Sequence, residues 1–273
     1  MKPPLLRVRI DASYGSRTVL REISFDLHAG ETLGLIGTSG AGKSTLVLAL
    51  MGLLPWRGGK VTGEILLDGQ NILTTRERDL RKLRGARFAL VPQSPLSALN
   101  PAISLRAHFE EAWKAHQTTG RSALNWRLQA LLPEVQLTVD PAFLSRKPGE
   151  ISVGQAQRAV IALSMLHRPA LLIADEPTSA LDPVTQAEII ALLRRLNHNS
   201  GTTLLYISHD LLSVLQLCGR LALLDAGTLA EQLTTTDLEQ QARHPATLAL
   251  LRALPVPPSV LLGWRHEKSR IAV

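Results

Sequence analysis

The stretch Gly37-Thr38-Ser39-Gly40-Ala41-Gly42-Lys43-Ser44-Thr45 constrains this chain more than any other, because it fills every fixed position of G-x-x-x-x-G-K-[ST] directly after an apolar run. That pattern predicts a nucleoside triphosphate site. Thr32-Leu33-Gly34-Leu35-Ile36 reads as a buried strand, and Ser44 to Met51 has apolar helical spacing, so the loop joins a strand to a helix. Glycines let the backbone approach phosphate, successive N–H groups point inward, and the positive end of the helix favours an anion. Lys43 is expected to reach the β and γ phosphates, and the Ser44 hydroxyl to help hold Mg²⁺.

Far downstream, Ala170-Leu171-Leu172-Ile173-Ala174-Asp175-Glu176-Pro177 is an apolar strand that ends in adjacent carboxylates. Strands buried in parallel sheets have this composition, and ligands of open α/β sheets lie beyond the carboxyl ends of their strands. Asp175 is therefore expected at the Mg²⁺ shell and Glu176 beside the attacking water, which it would orient and polarise. Alone, such a pair is a solvated turn. With the phosphate loop upstream, it turns nucleotide binding into hydrolysis.

Between these clusters lies Glu150-Ile151-Ser152-Val153-Gly154-Gln155-Ala156-Gln157-Arg158. Here the chain resembles the ATP-binding cassette (ABC) ATPases over nearly its whole length. The family signature L-S-G-G-Q is matched by Ile151 to Gln155, with Ile for Leu and Val153 for the first Gly. The resemblance further implies that Tyr14 stacks on adenine, that Gln93 is the loop glutamine and a metal ligand with Ser44 and Asp175, that Ser179-Ala180-Leu181-Asp182 is the D-loop, and that His209 is the switch histidine. Gly37, Ser39, Gly40, Ala41, Gly42, Lys43, Ser44 and Thr45 then bind the nucleotide, as do Ser152, Gly154, Gln155 and Asp182.

Ser152 and the N–H groups around Gly154 would form an anion site at the start of a helix running from Gln155 to Leu166. In cassette ATPases this site caps the γ phosphate held by a partner, so one phosphate loop per chain implies a head-to-tail dimer with ATP between subunits. Val153 is the departure. Glycine tolerates backbone angles that a β-branched residue does not, and the added bulk is expected to be tolerated.

The implied fold is α/β: a P-loop NTPase with a RecA-like parallel-sheet core, an antiparallel β subdomain and an inserted helical subdomain. Leu6 to Ile10, Ser24 to Leu27 and Gly63 to Leu67 read as antiparallel strands, Ser104 to about Pro148 as the helical insertion, and Arg220 to Gln232 as a hairpin turning at Ala226-Gly227. Expected domains are 1–92 (core with β subdomain and phosphate loop), 93–168 (glutamine loop, helical subdomain and signature helix), 169–233 (remainder of the core) and 234–273 (C-terminal helical extension). Trp264 to Val273 reads as a polar, poorly ordered tail.

With 273 residues and 45% hydrophobic content, the chain can bury a large core. Single Cys218 cannot form an intramolecular disulfide, the N-terminus lacks an apolar signal core, and no apolar run reaches the ~18 residues of a membrane span. Any membrane domains must then be other polypeptides. A net charge of +7, with Arg76, Arg78, Arg81, Lys82, Arg84 and Arg87 close together, raises a soluble cassette ATPase acting on nucleic acid or ribosomes as the alternative. A solvated basic helix, or one facing anionic headgroups, explains the same charges, so no nucleic-acid partner is expected. A non-hydrolytic regulator that uses ATP only to dimerise is a third reading, which retained Glu176 and His209 oppose.

Two further stretches narrow the resemblance: Ser94-Pro95-Leu96-Ser97-Ala98-Leu99-Asn100-Pro101, and His244 to Pro255. Both are similar to ATPases of the peptide/nickel importer group. That group implies ATP and Mg²⁺ as cofactors and a second, usually different, ATP-binding subunit. It also implies two transmembrane permease subunits, an extracytoplasmic solute-binding protein, and a peripheral position on the cytoplasmic face of the inner membrane. Longer peptide-importer members carry a cysteine-rich C-terminal extension. The lone Cys218 argues against an iron–sulfur cluster and adds weight to nickel or opine-metallophore substrates.

Overall fold

The computed structural model of the chain describes residues 3–117, 119–261 and 263. The tail expected at Trp264 to Val273 lies outside the described residues. In chain order the strands are β1 (Leu6–Tyr14), β2 (Arg17–Leu27), β3 (Thr32–Ile36), β4 (Gly59–Leu67), β5 (Gln70–Asn71), β6 (Phe88–Val91), β7 (Leu171–Asp175), β8 (Thr203–Ser208), β9 (Arg220–Asp225) and β10 (Thr228–Thr234). The residues cluster into two compact units, one made of the chain up to Arg76 and from Thr203 onward, the other of Glu77–Thr202.

In the first unit an antiparallel sheet has the order β2-β1-β4-β5. Along β1, Leu6, Val8, Ile10 and Ala12 are buried while Arg7, Arg9 and Asp11 take the other face, the period of two that one-sided burial imposes. Val8 pairs with Phe25 on one side and Ile65 on the other, so apolar residues stack across three strands. Strands β2 and β4 begin at Arg17 and Gly59, earlier than Ser24 and Gly63, because β1 pairs with them as far as Tyr14; their first halves are mostly exposed and carry little apolar signal.

The second sheet of this unit places β3 parallel to both β8 and β9, with β10 antiparallel to β9 at the edge. Every residue of β3 and β8 is buried, so these strands are apolar runs without alternation. The β9–β10 hairpin closes at Ala226 and Gly227, whose φ values of 45° and 82° make the two-residue positive-φ turn that suits strand twist. Its tip rests on β2. Arg21 N–H donates to the Gly227 carbonyl at 2.8 Å, and a Cβ on Gly227 would lie 2.2 Å from the Val19 carbonyl oxygen.

In the second unit β6 and β7 run parallel, pairing Phe88 with Leu171 through Val91 with Ala174. Helices Leu105–Lys114 and Arg121–Glu134 fill the expected insertion. Arg127 is buried in it, donating from Nε to the Leu166 carbonyl (2.9 Å) and from Nη2 to Met165 (2.7 Å), which satisfies the end of helix Val153–Met165. Burial lowers its pKa below the ordinary arginine value. The middle of the basic stretch forms helix Glu77–Leu83, where Glu77 pairs with Arg81 and with Arg84 just past the helix, and Asp79 pairs with Lys82. Among the described residues no helix is long and apolar enough to cross a membrane.

Candidate nucleotide site

Ile36 at the end of β3 pairs with Ser208 at the end of β8. Gly37 and His209 therefore leave neighbouring strands at the same level, which puts the start of the phosphate loop beside the expected switch histidine. The loop takes a shape that side chains resist: φ is 83° at Gly40 and 109° at Gly42. Lys43, 8% exposed, turns back over it, donating from Nζ to the carbonyls of Gly37 (2.8 Å) and Thr38 (3.2 Å). Helix Lys43–Leu50 starts here, with Leu46 N–H donating to Gly42. The N–H groups of Lys43, Ser44 and Thr45 thus belong to its first turn, at its positive end. An ammonium group, a row of amides and a hydroxyl fit a polyphosphate with its metal.

Two other residues of this unit belong to the expected site. Tyr14 ends β1, opposite Arg17 and Gly59, and is half-buried. His209 is exposed, and its neighbours are pinned: Ser208 Oγ accepts from Asp210 N–H at 3.0 Å, and the Asp210 carboxylate accepts from Leu212 and Ser213 N–H as the cap of helix Leu211–Leu217.

The second unit repeats the register logic. Val91 pairs with Ala174, and two residues beyond each, Gln93 Nε2 donates to Glu176 Oε2 at 3.1 Å. The two side chains are 83 positions apart in sequence, and motif reading assigned both without joining them. Glu176 has φ of 45°, a left-handed conformation that costs a non-glycine residue about 1–3 kcal/mol. Its carbonyl accepts from Ser179 twice, from N–H at 3.2 Å and from Oγ at 3.1 Å. The strained backbone of Glu176 is thereby tied to Ser179, the first residue of the expected D-loop.

Ser152 caps helix Val153–Met165, which begins two residues earlier than Gln155. Ser152 Oγ accepts from Gln155 N–H at 3.1 Å and Gln155 Oε1 from Ser152 N–H at 3.0 Å, a reciprocal capping box. Val153 and Gly154 then hold the N–H groups of the first turn that this box leaves over. Val153 has no positive φ and is 39% exposed, so its backbone lies where a β-branched residue is at ease. Asp182 caps helix Pro183–Ser200, accepting from Val184 N–H (3.0 Å), Thr185 N–H (3.1 Å) and Thr185 Oγ1 (2.6 Å). The Thr185 hydroxyl, followed by its N–H, holds the Asp182 carboxyl below its ordinary pKa. Sequence reasoning did not single out Thr185, although Asp-Pro with a hydroxyl three residues past the cap is a legible helix start.

The ABC transporter family model matches residues 20–179. A probable D,D-dipeptide transport ATP-binding protein of Escherichia coli is 39% identical over 242 residues, 88% of this chain and 74% of that protein. The oligopeptide transport ATP-binding protein of the same organism is 36% identical over 250 residues, 92% of this chain and 74% of that one. Among solved structures, cbiO1 of Clostridium perfringens, described as part of the ABC transporter complex cbiONQ, matches with a TM-score of 0.75 at 25% identity, over 88% of this chain and 92% of that chain. Because the family match takes in the phosphate loop and also β7 with Glu176 directly after it, the chain belongs to the ABC transporter family and is one of its ATPases.

Proposed function

We propose that this ATPase powers a bacterial importer of peptides. It would sit peripherally on the cytoplasmic face of the inner membrane beneath two permease subunits, paired head to tail with a second ATP-binding subunit, a different paralogue by family habit. An extracytoplasmic solute-binding protein would deliver the substrate. The observation that carries this reading is the naming of both curated relatives for peptide transport, at identities of 39% and 36% across most of the chain. Nickel or opine-type chelates are the narrower alternative. The ion pairs that Glu77 and Asp79 make with Arg81, Lys82 and Arg84 favour a solvated helix over a nucleic-acid surface.

In this reading Tyr14 stacks on the adenine, the amides of Gly37 to Thr45 and the Lys43 ammonium hold the phosphates, and Ser44, Gln93 and Asp175 hold the metal. Mg²⁺ held by these residues would supply charge neutralisation for the triphosphate. Glu176 accepts the hydrogen bond of the attacking water and aims it, with Gln93 and His209 registering the γ phosphate. Ser152, Gly154 and Gln155 present the signature amides to a nucleotide on the partner, and Asp182 shapes the D-loop between them. ATP closes the pair and hydrolysis reopens it.

The test is E176Q in the full chain. Replacing the carboxylate by an amide keeps the shape and removes the base. Affinity-tagged E176Q extracted from native membranes with ATP should retain nucleotide and bring permease subunits and a second ATPase with it. Wild-type turnover in E176Q, or recovery with nucleic acid or ribosomes, would overturn the proposal.

A further inference from the structure

Gly154 poses a question that the signature does not answer. It lies in the first turn of a helix and is not among the glycines with positive φ, so its backbone would accept alanine, a better helix former. What forbids a side chain is Thr185. A Cβ on Gly154 would lie 2.9 Å from Thr185 Cγ2, closer than real methyl groups approach one another. That methyl cannot swing away cheaply, because Thr185 Oγ1 donates to Asp182 Oδ2 at 2.6 Å while Asp182 Oδ1 accepts from Thr185 N–H. The aspartate thus fixes the threonine rotamer, and the threonine methyl meets the glycine.

We propose that Thr185 is a positioning residue that sets the start of the signature helix against the start of the D-loop helix. The bare Cα of Gly154 is required by this contact within one subunit. Two motifs that face the partner are thereby held as one edge, and a displacement of the D-loop reaches the signature without passing through nucleotide. This rests on the reading above that both motifs meet a partner's nucleotide.

The experiment is a double-mutant cycle of G154A, T185S and G154A/T185S in the full chain. Serine keeps the hydroxyl that bonds Asp182 and deletes the clashing methyl. Each protein is read twice: as the thermal midpoint of the purified chain, and as kcat and KM for ATP of the membrane complex recovered with it. T185S alone should stay within about twofold of wild-type turnover. G154A should lower kcat about tenfold and lower the midpoint, as overpacking does. G154A/T185S should recover most of both, and if G154A fails to fold, the double variant should fold. Wild-type behaviour of G154A, or a loss that T185S leaves unchanged, overturns the proposal. If E176Q traps no complex while the midpoints still couple, it is the assembly reading that fails, and with it the role of Thr185 in turnover.

Discussion

Substituting Ser179 by alanine tests whether the strained backbone of Glu176 matters for hydrolysis. Glu176 holds φ of 45°, a conformation about 1–3 kcal/mol above ordinary alternatives, and its carbonyl is anchored by the N–H and the hydroxyl of Ser179. Alanine keeps the first anchor and removes the second, worth about 1 kcal/mol at a solvent-facing position. If the left-handed state is the one that aims the carboxylate, its population falls with the lost bond, and kcat should drop about fivefold. KM for ATP should not move, since Lys43 and the loop amides are untouched. S179T, which retains the hydroxyl, should return to within about twofold of wild type. The assay is steady-state phosphate release from the membrane complex over a range of ATP concentrations, alongside titration of the purified chain with a fluorescent nucleotide. Unchanged kcat in S179A, or a defect confined to KM, would refute the reasoning.

Three further outcomes follow from local geometry. V153G should leave turnover within about twofold while lowering the thermal midpoint, because the helix gains no needed freedom and loses propensity; a severalfold gain would show that valine's bulk hinders the site. D182N should flatten the acid limb of stability. The folded carboxyl titrates below its ordinary 3.8, so its contribution is present above that pH and is lost as pH falls through the lower folded value. Parallel melting-point profiles for wild type and D182N below pH 3.8 would contradict this. E231A should loosen helix Pro245–Arg252, whose entry and first turn are tied to β10 by Glu231, through the N–H groups of Arg243 and His244 before the helix and the Thr247 hydroxyl within it. A loss of about 2 kcal/mol and earlier proteolysis near Pro245 are expected, and an unchanged digestion pattern would argue otherwise.

How much of this was legible beforehand depends on what each residue answers to. The phosphate loop, β3 and β7 could be read because glycine spacing and unbroken apolar runs are local signals, and the structure moves their boundaries by a residue or so. The helix after Ser152 was placed two residues late, since Val153 and Gly154 are weak helix formers and only the reciprocal Ser152–Gln155 bonds show that the first turn includes them. The Gln93–Glu176 bond and the Gly154–Thr185 contact were not legible at all. Each depends on strand register or helix packing between distant segments, which no local pattern encodes. The left-handed Glu176 was likewise hidden, because a residue before proline reads as extended, whereas here its carbonyl accepts from Ser179 in a left-handed backbone.

The hairpin tip at Ala226-Gly227 has a consequence beyond its own turn. Strand β2 is the outer strand of the antiparallel sheet, and an uncovered outer strand offers its backbone to other chains as a template for aggregation. Here the Gly227 carbonyl occupies the Arg21 N–H, and the tip approaches Val19 so closely that only a glycine fits. Lesions at Gly227 should therefore surface first as insoluble protein in the expressing cell, while the molecules that do fold keep their catalytic residues in place.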